Sequence, residues 1–115
     1  MKVYGILNCD SVKKGLKWLD THDMKYTFHN FKTDGVTKSL LSKWVDKKGW
    51  DKILNLKSTT YRKLLKEGAS EVTDKKSAIE FMLQNTSSIK RPLIEDGGML
   101  IAGFNETEFQ TLIKK

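Results

Sequence analysis

Apolar and polar positions follow two rhythms along this chain, and the switch between the rhythms marks its elements. Lys2 to Leu7 is a short run rich in Val, Tyr, Ile and Leu, which predicts a buried strand. Asn8-Cys9-Asp10-Ser11 is a turn-and-cap cluster. Beyond it Val12, Leu16 and Leu19 recur at helical spacing, with Lys13, Lys14 and Lys17 between them and Trp18 widening the stripe. Asp10 or Ser11 is the expected cap for the free N–H groups of that helix, which ends near Thr21-His22-Asp23. Tyr26 to Phe31 is β-branched and aromatic and reads as a second strand. Strand, cysteine loop, helix, strand is a βαβ unit, which makes its two strands parallel.

The middle of the chain, about residues 37–84, reads as all helical. Thr33-Asp34-Gly35 is a turn, and Thr37 caps a helix bearing Leu40, Leu41, Trp44 and Val45 that stops at Gly49. Trp50, Ile53 and Leu54 suggest one more short helix. Asn55 to Thr60 is a polar loop, Tyr61 to Lys66 a further helical piece, and Thr73-Asp74 opens a helix with Ile79, Met82 and Leu83. A strand follows Pro92, Asp96-Gly97-Gly98 makes a tight turn, and Met99 to Ala102 forms the antiparallel partner. Gly103 breaks that strand, and Glu106 to Lys114 closes the chain as a helix with Phe109, Leu112 and Ile113 on one face. The order is β-α-β, a helical insert, then β-β-α. This is an α/β chain with the element order of a thioredoxin-like fold, a four-stranded mixed sheet whose two halves flank the insert.

Composition narrows the function classes. The 115 residues make one domain on the usual size relation, and eleven aromatics supply one core. No 12-residue stretch is free of charge, so no membrane span is expected. The first residues lack the apolar stretch and cleavage site of a signal peptide, and one cysteine forms no internal disulfide, so the expectation is a reducing, cytoplasmic home. The net charge is +7, yet 19 of the 21 basic residues are lysine. Readers of nucleic acid favour arginine for its planar fork, so the lysines read as a solvated coat rather than a nucleic-acid surface. The scarce Arg62 and Arg91 then carry more information. Arg62, in the helical middle, reads foremost as a salt-bridging residue between insert and sheet, the alternative being that it lines the pocket.

Cys9 sits between a strand and a helix start. The first N–H groups of a helix lack internal partners and carry a partial positive charge, so a thiolate there is stabilised and becomes a nucleophile. The alternative is a small apolar residue in the core. Arg91-Pro92 stands just before a strand, which suggests a cis peptide bond; the alternative is that Lys90 and Arg91 are ordinary exposed charges and Pro92 a trans turn proline. A cis bond would turn Arg91 towards the Cys9 loop, where its guanidinium would stabilise the thiolate and clamp a carboxylate or oxyanion at two points. Asn8 would orient the loop, and Ser11 would cap the helix and hydrogen-bond the sulfur. His22 and His29 read as structural, since one cysteine and two distant histidines give no metal-ligand spacing.

Tyr4-Gly5-Ile6-Leu7-Asn8-Cys9-Asp10 with Lys13-Lys14, then Gly49-Trp50, Leu54-Asn55, Thr59-Thr60-Tyr61-Arg62-Lys63-Leu64 and Ile89-Lys90-Arg91-Pro92-Leu93-Ile94, together resemble the ArsC-like proteins. These are glutaredoxin-coupled arsenate reductases with their Spx and YffB relatives. The likeness runs nearly end to end and is nearest the YffB branch, through Asn8-Cys9-Asp10, the Thr-Thr-aromatic-Arg-Lys-Leu block and Gly103-Phe104. It implies a thioredoxin-like fold with a helical insert, Cys9 as the catalytic cysteine and Arg91 as the arginine before a cis-proline.

Two departures shape the functional expectation. Arsenate reductases of this type hold the oxyanion with three arginines. Here the first position falls at about Asn55, with Lys57 nearby, and the third at about Gly103, so only Arg91 is kept. Each charged hydrogen bond contributes about 1.5–3 kcal/mol, and Lys57 restores charge without two-point geometry. Redox-sensing relatives carry Cys-x-x-Cys, whereas this chain reads Cys9-Asp10-Ser11-Val12 with no second cysteine. A one-cysteine enzyme attacks once and needs an outside thiol to resolve the adduct. The expectation is a thiol oxidoreductase that uses Cys9 and Arg91 on substrate bound by Asn8, Ser11, Lys57 and Pro92. It carries no bound cofactor, glutathione is its co-substrate, and the resemblance adds glutaredoxin as a partner. The alternatives are an Spx-like regulator that docks on RNA polymerase without redox catalysis, and a true arsenate reductase.

Overall fold

Four short strands, β1 (Lys2–Gly5), β2 (Thr27–Asn30), β3 (Leu93–Asp96) and β4 (Met99–Ala102), form one sheet in the order β2-β1-β3-β4. In this computed structural model, which describes residues 1–113, β1 pairs parallel with β2 and antiparallel with β3, and β3 pairs antiparallel with β4. The mixed sheet is the expected one. Helix α1 (Asp10–Thr21) is the crossover that parallel pairing demands. Asp96 pairs with Met99, so the hairpin loop is Gly97-Gly98.

The chain divides into two compact units: Met1–Gly35 with the stretch from Arg91 on, and Val36–Lys90. The core of the first follows from the period-2 rule of strands. Register partners Val3, Ile94 and Ile101 share one face and pack against Trp18 and Leu19 of α1 and against Phe109 and Leu112 of the last helix. Tyr4 and Leu93, one residue along, belong to the opposite face.

Gly5 is where strand and helix come closest. A Cβ at this position would stand 2.8 Å from Cγ2 of Val12, a buried side chain with one strongly preferred rotamer. Gly5→Ala is therefore expected to lower stability by about 1–3 kcal/mol, the range for overpacking. Urea unfolding of Gly5→Ala, Val12→Ala and the double variant checks this: the two single losses should sum to more than the double-variant loss.

In the second unit Thr37 caps α3 (Lys38–Lys48), its hydroxyl accepting from the N–H of Leu40, and Gly49 ends the helix at φ +95°. Next come α4 (Trp50–Ile53), α5 (Thr59–Lys66) and α6 (Lys75–Gln84). Their buried faces supply Leu41, Trp44, Ile53, Tyr61, Ile79 and Met82. Tyr61 meets Phe81 edge-on at 5.2 Å, and its hydroxyl accepts from the N–H of Val72. A bridge between Leu54 and Ile89 ties the end of α4 to the end of the unit.

The structure departs from the sequence expectations at element ends. The second strand stops at Asn30 rather than Phe31. The Asn30 side chain accepts from the N–H of Lys32 and starts a one-turn helix, α2 (Phe31–Asp34), which buries Phe31. Such local side-chain bonding competes with the strand ladder. A 3₁₀ turn at Thr86–Ser88 was not expected. The closing helix, α7, is Glu106–Ile113; the expected extension to Lys114 lies outside the described residues. Among the described residues no helix is long and apolar enough to cross a membrane.

Candidate functional site

Strand direction gathers the candidate residues. The cysteine loop leaves the C-terminal end of β1, and β3, being antiparallel, begins at that same end with Leu93 opposite Tyr4. Arg91 and Pro92 therefore lie at the sheet edge from which Asn8 and Cys9 emerge. The backbone after β4 arrives there too, with the N–H of Gly103 donating to the Pro92 carbonyl at 2.9 Å. Ligands in open α/β sheets favour such edges, at the carboxyl ends of parallel strands.

Cys9 is itself the N-cap of α1, at φ −149° and ψ 125°, and its carbonyl accepts from the N–H of Lys13 at 2.9 Å. This corrects the expectation that Asp10 or Ser11 caps the helix. Those residues are the first two of the helix proper, because the intrahelical ladder already begins at the Cys9 carbonyl. The cap makes no side-chain hydrogen bond to the helix. Cys9 is a free, half-buried cysteine, with Asn8, Asp10 and Ser11 exposed around it. Asp10 adds a carboxylate to the first turn.

The Arg91–Pro92 bond is cis, Arg91 is half-buried and Pro92 is buried. Pro92 rests on Gly15 of α1, where a Cβ would stand 3.0 Å from the proline Cγ and 3.5 Å from the Phe109 ring. Gly15 was overlooked in the sequence, although a lone glycine inside an amphipathic helix signals a close approach. The contact ties the start of β3 to the helix that carries Cys9. Asn8, Cys9, Ser11, Arg91 and Pro92 thus all belong to the first unit and to one edge of its sheet. Lys57 belongs to the second unit, on the exposed loop before α5, with its N–H donating to the Asn55 side chain at 3.1 Å.

The histidines are structural. Nδ1 of His22 lies 2.8 Å from the Trp18 carbonyl, and the ring stacks on Trp18 at 3.9 Å. Nε2 of His29 lies 2.7 Å from the Gly35 carbonyl, and its ring stands 4.9 Å from Tyr4. Among the described residues no three potential ligands cluster to hold a metal.

One titratable group near the sheet centre is strongly displaced. The buried Tyr4 hydroxyl donates to Oε1 of Glu95 at 2.6 Å, and burial first, then that bond and the Glu95 charge, push the phenol well above its ordinary value of 10.0. The native state keeps this proton longer than the unfolded chain does. Stability from the neutral phenol is complete below about pH 10 and is lost as the pH climbs towards the folded value. Tyr4→Phe should flatten that alkaline fall, and urea midpoints followed from neutral pH to about pH 11 measure it.

Residues 4–112 match the ArsC family. The chain belongs to the ArsC family. An uncharacterized protein of Haemophilus influenzae is 42% identical over 108 residues, covering 94% of each chain. The global transcriptional regulator Spx of Staphylococcus saprophyticus is 32% identical over 113 residues, covering 94% of this chain and 82% of Spx. The solved structure of the YffB (PA3664) protein superposes with a TM-score of 0.89 at 39% identity and covers 96% of both chains. Membership of this family accounts for the mixed sheet and its flanking helices as parts of one fold.

Proposed function

We propose that this ArsC-family protein is a one-cysteine thiol–disulfide reductase that uses glutathione as co-substrate. The observation that carries the reading is Cys9 as the cap of α1, half-buried, held by its backbone and with a side chain that the cap leaves unengaged. A sulfur there lies at the N-terminal end of the helix, where the unpartnered N–H groups carry partial positive charge. The thiolate attacks a glutathione mixed disulfide on a substrate thiol, forming a Cys9–glutathione disulfide and releasing the substrate thiolate. A second glutathione thiolate then attacks the glutathione sulfur, forming oxidised glutathione and returning Cys9 as the thiolate. With no second cysteine in the chain, the resolving electrons come from outside, with glutaredoxin as an alternative carrier. Arg91 binds a glutathione carboxylate at two points. Asn8, Ser11 and Pro92 line the Cys9 edge.

Arsenate is the poorer substrate on this reading. By the resemblance, the other two arginine positions of such arsenate reductases fall at about Asn55, with Lys57 nearby, and at about Gly103, so one fork remains for a doubly charged oxyanion. The identity with Spx favours a second reading, docking on RNA polymerase with Cys9 idle.

Mass spectrometry after incubation with oxidised glutathione separates the two. The reductase reading expects one glutathione per chain on Cys9, removed by excess reduced glutathione. An inert Cys9, together with polymerase captured equally by the wild type and by Cys9→Ser, would favour docking. Arg91→Gln should slow adduct formation about tenfold or more, the worth of one charged hydrogen bond. An unchanged rate would remove Arg91 from the site.

A further inference from the structure

The basic residues gather at one place on the second unit. Along α5 and the loop before it in the second unit, Lys57, Thr59, Arg62, Lys63 and Lys66 line a concavity of about 360 Å³. Four of the five are cations and none is a carboxylate. Among the described residues none of these four has an ion-pair partner on its side chain, and this corrects the expectation that Arg62 forms a salt bridge. Lys75 in the same unit, by contrast, is paired with Asp46. Arg62 and Lys66 are also one turn apart on an exposed helix face, an arrangement that is unfavourable for like charges without a counter-charge.

We propose that this concavity binds the phosphate chain of a polyphosphate or nucleoside triphosphate. The cations surround a small volume, so the complement is a compact anion with several charges rather than a single carboxylate. Lysine ammoniums suit phosphate oxygens as point charges, and Arg62 supplies one planar fork. The lining holds no apolar or aromatic side chain to grip a peptide or stack a base. Binding here is separate from the thiol chemistry of Cys9.

Calorimetry at low ionic strength with tripolyphosphate, ATP, AMP and sulfate tests the site on the full chain. Tripolyphosphate and ATP should bind one per chain, with AMP and sulfate at least about tenfold weaker. Equal binding of the first two assigns the site to a bare phosphate chain, whereas a preference for ATP assigns it to a nucleotide. Arg62→Gln with Lys66→Gln should weaken tripolyphosphate binding at least about tenfold. Lys47→Gln with Lys48→Gln, the same charge removed from the exposed end of α3, should leave it within about twofold. Cys9→Ser should bind as the wild type does, so loss of reductase activity and loss of this site are distinguishable. No binding of either polyanion, equal weakening in both double variants, or a tighter grip on random duplex DNA would overturn the proposal.

Discussion

Cys9→Ser is expected to abolish glutathione-linked turnover and the glutathione adduct altogether while leaving the fold intact. Cys9 caps α1 through its backbone, with φ and ψ in the extended region and its carbonyl bonded to Lys13, and serine adopts the same backbone. Serine is moreover a favoured N-cap whose oxygen can accept from the second or third N–H of the helix, so the variant should be as stable as the wild type or slightly more so. The reactive sulfur is the only thiol in the chain, so nothing replaces it. Turnover of a glutathionylated peptide and thermal melting, measured together, give the test. Retained turnover in a variant that melts normally would end the reductase reading, since no other residue here can carry a disulfide.

Phe109→Ala is expected to be the most destabilising of the substitutions considered. The side chain is fully buried, meets Trp18 edge-on at 5.2 Å and Phe104 edge-on at 5.1 Å, and backs Gly15 where Pro92 rests. Truncating a buried phenylalanine costs about 3–5 kcal/mol, lost transfer energy plus a cavity that the surroundings fill only in part. Domains are stable by only about 5–15 kcal/mol, so the melting point should fall by more than about 10 °C. Because the ring stands behind the Gly15–Pro92 contact, the sheet edge carrying Arg91 should loosen as well. Adduct formation on Cys9 should therefore slow in Phe109→Ala even at temperatures where the variant is folded. Phe109→Leu keeps most of the volume and should cost less than half as much. A loss below about 1 kcal/mol for the alanine variant would mean that α7 is not a keystone of this core.

The legibility of the chain varied with the range of the interaction involved. Helix starts at Thr37 and Asp74 were readable because a cap is a contact between residues three apart, and both side chains make the expected bonds. The cap at Cys9 was misplaced by one or two residues because its side chain makes no cap bond and leaves no signature in residue type. Phe31 looked like the end of a strand because aromatic residues favour strands. The Asn30 side chain drew the backbone into a turn instead, and only the folded chain shows which of two local preferences prevails. For the site, the residue types at positions 9, 91 and 92 were visible along the chain, but Gly15, the glycine that seats Pro92, was not recognised.

The sequence by itself determined the order of the strands and longer helices, the mixed sheet, the family and the single sulfur available for chemistry. These depend on periodicity and residue type, which short windows of chain express. Tertiary structure alone decided that β3 begins at the edge where the Cys9 loop leaves β1, that Pro92 lies on Gly15, that Tyr4 bonds Glu95 across 91 positions, and that four cations on α5 and the loop before it surround one hollow without an ion-pair partner among the described residues. Each of those joins surfaces whose proximity is set by strand pairing or packing, and the energy of such contacts exists only once the chain has closed on itself.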